Sequence, residues 1–198
     1  KLDKQHPESR QVAIQHARFI FRNEPGNLAA LEKIHNRFAT EPTIARTYAR
    51  AAFDQQDYDS AQAVYLHLLE LGYADEAHYF LGRIDLVNAM TSSAVSHFSA
   101  VQQMPYLSSA LAEWVSLARL EDEELLLAAL QESKAANPDQ EATFWRLETN
   151  YFQLTGQSER AWQTLESALT QFPENTTLLY DQAMLAANVD RLPVMERN

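Results

Sequence analysis

Ala61, Ala94, Leu126 and Ala161 follow one another at intervals of 33, 32 and 35 residues, and Pro138 and Pro173 are 35 apart. Each of the four begins a run of apolar residues at three- and four-residue steps, the spacing that keeps side chains on one face of an α-helix. A period this close to the length of one helical hairpin, kept without long insertions, predicts units that stack side by side into a right-handed solenoid. The rival is an ordinary helical bundle whose helices merely share a length.

The clearest unit runs from Ala142 to Pro173. Trp145, Thr149 and Phe152 share one helical face, Gly156 permits a tight turn, Ala161, Leu165, Ala168 and Leu169 form the answering stripe, and Pro173 stops the second helix. An early aromatic, a central Gly, Ala-x3-large-x2-Ala-Leu and a closing Pro resemble the tetratricopeptide repeat. The resemblance implies an all-α, right-handed α-α superhelix of about five to six hairpins that binds other proteins. Read this way, residues 1–198 form a single solenoid fragment. Its approximate repeats are 7–41, diverged, then 42–74, 75–106, 107–141, 142–175 and 176–198, cut short.

Local signals support these boundaries. Asn27 is placed to cap a helix, Pro42 and Pro105 to open new ones, and Asp54 to Asp57 to make a turn with a helix cap. Gly72 suits a left-handed cap, and Asn88 to Ser93 supply a polar turn. Gly82 falls inside a helix, where glycine costs about 1 kcal/mol relative to alanine, so a close helix approach is expected there. In the last unit Leu179, Ala183 and Ala186 form the expected stripe, with Asn175 or Thr176 as cap.

Sixteen Lys plus Arg against 27 Asp plus Glu leave a net charge of −11, which argues against nucleic acid as the main partner. The absence of cysteine excludes disulfides, thiol nucleophiles and thiolate metal sites. No apolar run approaches the roughly 20 residues that cross a bilayer, so no membrane insertion is expected from this stretch. The chain starts at Lys1 without methionine and stops shortly into what reads as another helix, so a fragment of a longer protein is expected.

Four glycines leave little room for a phosphate loop or nucleotide fingerprint, and no cofactor is expected. His6, His16, His35, His67, His78 and His97 are scattered and form no i, i+4 pair, so no metal site is expected. The acidic run Glu121 to Glu124 reads as a solvated turn and first helical residues. Trp114, Trp145 and Trp162 sit in the stripes and read as core.

The family resemblance further implies that the first helix of each hairpin lines a concave groove. The positions facing it would be Arg46, Arg50, Tyr79, Arg83, Val115, Arg119, Arg146, Asn150, Tyr180 and Met184. Five are arginines, which against the overall negative charge would make a local positive field suited to an acidic peptide or a carboxylate. The competing reading pairs them with nearby acids or amides, Arg146 with Glu148 or Asn150 for example. Arg146 with Asn150 is similar to part of the arrangement by which some members of the family hold a C-terminal carboxylate, although the lysines of such clamps are missing.

The expected function is therefore a non-enzymatic adaptor taking a partner peptide or helix in its groove. The alternative is an assembly scaffold that docks through its outer faces. The segment Leu178 to Ala186, running on from Arg191 to Arg197, resembles tetratricopeptide-repeat proteins of proteobacteria. Some of those are outer-membrane lipoproteins and one type is an adaptor for a periplasmic processing protease. That likeness implies a periplasmic or outer-membrane-associated location, with a protease or envelope assembly component as partner.

Overall fold

The computed structural model describes residues 9–117 and 123–189. His6, Arg119, Glu121 and the residues Arg191 to Arg197, named above, lie outside them. All regular structure among the described residues is helical. The chain divides after Val101 into two compact units.

Unit 1 holds α1 (Arg10–Asn23), α2 (Leu28–Arg37), α3 (Pro42–Asp54), α4 (Tyr58–Glu70), α5 (Ala74–Val87) and α6 (Thr91–Ser99). Each helix packs on the next, and α1 also packs on α3, so the hairpins are stacked in chain order. The starts are capped as expected. Asn27 Oδ1 accepts from the Ala30 amide and Asp57 Oδ1 from the Ser60 amide, while Pro42 occupies the first turn of α3. Ala45, Ala49 and Ala52 are fully buried on α3, and their small size lets α4 lie close. The larger rings fill the remaining space. Tyr65 stacks on Phe80 at 4.9 Å between ring centroids, and Phe53 meets Phe80 edge-on at 5.0 Å.

Unit 2 holds α7 (Tyr106–Leu117), α8 (Glu123–Ala136), a 3-10 turn at Pro138–Gln140, α9 (Glu141–Leu154), α10 (Ser158–Gln171) and α11 (Thr176–Val189). Helix α9 is its centre, packed against α7, α8 and α10, while α11 packs on α10. Of the expected stripes, Thr149 and Phe152 of α9 and Ala161, Leu165 and Ala168 of α10 are buried, while Trp145 and Leu169 are half-buried and Phe144 and Tyr151, outside the stripes, fill the core instead. Asn175 Oδ1 caps α11 by accepting from the amides of Thr177 and Leu178.

Two expectations fail in detail. Val115 is fully buried with Leu107, Ala110, Leu111 and Trp114, so it lines no groove. The apolar band of α7 is wider than one stripe, and the core takes all of it. On α11 the buried residues are Leu178 and Leu185, whereas Leu179 is 43% exposed and Ala183 faces outward. Both stripes have helical spacing, and contact with α10 selects the other one.

The turns between helices are built alike. Gln56, Gly72, Ala89 and Gly156 all have positive φ, at 63°, 85°, 57° and 74°. In each case the following amide reaches back five residues: Asp57 to Ala52, Tyr73 to Leu68, Met90 to Asp85 and Gln157 to Phe152. This is the Schellman ending, which satisfies otherwise orphaned carbonyls. Because α6 starts at Thr91, the turn expected at Asn88 to Ser93 is shorter and pivots on Ala89. A side chain in the left-handed region costs about 1–2 kcal/mol, partly offset by glycine's greater freedom when unfolded. Ala89→Gly should therefore stabilise the protein by roughly 0.5–1 kcal/mol in urea denaturation; a loss of stability would show that the turn is not strained.

Candidate functional site

In unit 1 the expected residues of α3 and α5 come together around the aromatic pair Phe53 and Phe80. The Arg50 guanidinium lies 4.9 Å from the Phe80 ring centroid, and that of Arg83 lies 4.9 Å from Phe53 and 5.9 Å from Tyr79. Stacking of this kind holds a guanidinium flat while leaving its edge donors free. The three arginines differ in what else they touch. Arg46 Nε donates to Glu76 Oε2 at 2.5 Å, and Glu76 is itself buried, so this arginine ties α3 to α5. Arg50 Nε donates to both oxygens of Asp54, one turn along its own helix, at 2.9 and 3.1 Å. Arg83 has no carboxylate partner among the described residues.

In unit 2 Arg146 and Asn150 of α9 face Asp181 and Met184 of α11 across a groove of about 350 Å³, lined also by Thr143 and Gln153. Arg146 Nε donates to Asp181 Oδ2 at 2.6 Å. It pairs with neither Asn150 nor Glu148, the partners its sequence neighbourhood offered. Tyr180 is 64% exposed and lies outside this lining.

Glu148 is occupied elsewhere. It and Lys134 of α8 are both buried and joined by a short ion pair, and the Lys134 ammonium sits 3.4 Å from the Trp145 ring centroid. Trp145, read as plain core, is thus a platform for a cation, with its indole N–H donating to Glu141. Glu123 is the first residue of α8, as expected of the acidic run, but its carboxylate accepts from Arg160, Gln157 and the Tyr151 hydroxyl. Arg160, followed by Gln157, holds its carboxyl below the usual carboxylate range.

The hairpin fold also joins two histidines that sequence spacing kept apart, His78 of α5 and His97 of α6. Among the described residues no three His, Asp or Glu side chains converge to hold a metal ion, and no helix is long and apolar enough to cross a membrane.

The TPR repeat-containing protein PA4667 of Pseudomonas aeruginosa is 27% identical over 125 residues, which cover 63% of this chain and 21% of that protein. The chain thus matches about a fifth of the length of this curated relative. The sequence profile described as tetratricopeptide repeat matches residues 2–188. With stacked hairpins, repeated Schellman turns and this match over nearly its whole length, the chain belongs to the tetratricopeptide repeat family.

Proposed function

We propose that this chain is a non-catalytic protein-binding module whose first unit recognises an acidic side chain or terminal carboxylate of a partner peptide. Tetratricopeptide repeats generally mediate protein–protein interaction, and that supports the coarser part of the reading. The finer part rests on Arg83. Its guanidinium is held by Phe53 and Tyr79 without a carboxylate among the described residues, and the Arg50 side chain on the same aromatic pair is 46% exposed. Location at a bacterial envelope belongs to the same proposal; the Pseudomonas relative supports the bacterial part alone, and the envelope part rests on the resemblance of the last helix to proteobacterial proteins.

The test uses labelled decapeptides with alternating Glu and Leu, or Gln and Leu, in fluorescence anisotropy. A charge-assisted hydrogen bond contributes about 1.5–3 kcal/mol, so Arg83→Ala should weaken the Glu peptide roughly ten- to hundredfold. Arg50→Ala should weaken it less, since Asp54 already neutralises that side chain. Equal affinity for both peptides, untouched by Arg83→Ala, would remove the carboxylate preference.

A further inference from the structure

The rings of His78 and His97 meet Nδ1 to Nδ1 at 2.9 Å with centroids 5.2 Å apart. The centroid separation exceeds the nitrogen separation by about two ring radii, so the nitrogens face each other head on. Such a contact holds one proton, because one nitrogen must donate and the other accept. It leaves no room for a metal on the line between them, where two zinc–nitrogen bonds would need about 4 Å.

The surroundings bear on the same proton. His97 Nε2 is 3.7 Å from Oδ2 of Asp85, a buried carboxylate on α5 that accepts from the Ser93 hydroxyl. The charged neighbours that bear on His78 are His97, which repels a second proton, and Asp75 on its own helix, which attracts one. Helix α4 packs on α5 as well; its His67 is paired with Glu70, and its Tyr65 is stacked on Phe80.

We propose that the α5/α6 hairpin is an acid-sensitive latch, closed while the two imidazoles share a single proton and loosened when each carries its own. Burial, then His97, hold His78 below the ordinary imidazole range, with Asp75 opposing. The opened hairpin therefore binds more protons than the closed one in mild acid. Its stabilisation is intact above about pH 6.5 and is lost as the pH falls below that value. All six histidines lie in unit 1, which makes unit 2 an internal control. His35 on α2 is also held low, by burial and then His67, so any part of the dependence it carries survives the His78 and His97 substitutions and shows in α2 as well.

Hydrogen exchange of the full chain, resolved by peptide and corrected for intrinsic rates, tests this between pH 7.5 and 5.5. The amides of α5 and α6 should lose protection by up to about tenfold, the bound set by one pH unit of excluded protonation, while α9 and α10 keep theirs. His78→Gln and His97→Gln should each flatten the dependence. Equal losses in α9 and α10, or a dependence that survives both substitutions, would overturn the latch. If either variant fails to fold, imidazole NMR of the unaltered protein decides: two protons taken up in separate steps by the pair support the latch, and two independent, unlinked titrations refute it.

Discussion

Replacing Lys134 by alanine is expected to cost about 3–5 kcal/mol, because it leaves the buried Glu148 carboxylate without its counter-ion. Both side chains are buried, at 5% and 8% exposure, and they join the end of α8 to the middle of α9, the central helix of unit 2. The ammonium is held twice, by the carboxylate and by the Trp145 face. The face alone contributes about 0.5–2 kcal/mol. Desolvating both ions offsets much of their attraction, so the intact pair is a weak net stabiliser while half of it is a strong destabiliser. The double variant Lys134→Met with Glu148→Leu should therefore recover most of what Lys134→Ala loses. All three tryptophans, Trp114, Trp145 and Trp162, belong to unit 2, so their fluorescence in urea reports this change directly. A loss below about 1 kcal/mol would mean that Glu148 finds water once the lysine is gone.

The period of the hairpins was legible in the sequence because close helix approach demands a small residue at the same place in each unit. Ala61, Ala94 and Ala161 are all fully buried, with Leu126 in the equivalent place. What the sequence hid is whatever depends on neighbouring helices. Arg46 with Glu76, Lys134 with Glu148 and Arg146 with Asp181 are separated by 30, 14 and 35 residues, beyond the one-turn spacing at which a pair can be read along a single helix. Arg146 shows the difficulty: the residue one unit ahead won over Glu148, which Lys134 had already engaged. Sequence reading also placed turns at Asp54 to Asp57 and Asn88 to Ser93, but it assigned the left-handed conformation only to Gly72. Gln56 and Ala89 adopt the same conformation at the same point of their hairpins with no glycine to mark it. The candidate site was legible as a set of arginines, but their division into a structural one, a neutralised one and Arg83 was not.

Gly82→Ala should destabilise the protein by about 1–3 kcal/mol, against the usual rule that alanine improves a helix interior by about 1 kcal/mol over glycine. The added methyl would stand 2.7 Å from Cε1 of Phe98, 2.9 Å from Cδ1 and 3.0 Å from Cζ. Phe98 is fully buried on α6 and its ring lies 6.4 Å from that of Tyr79, so it has no open side to retreat to. The glycine is thus the small residue that lets α6 approach α5, as its place inside a helix led one to expect. The sign of the effect is the test. In a Phe98→Leu background the obstruction is reduced, and Gly82→Ala should become neutral or stabilising; circular dichroism in urea reads all three variants. If Gly82→Ala stabilises the unaltered protein, the α5/α6 contact has slack, and neither the close approach nor the head-on alignment of His78 with His97 across the same interface would be enforced by the fold.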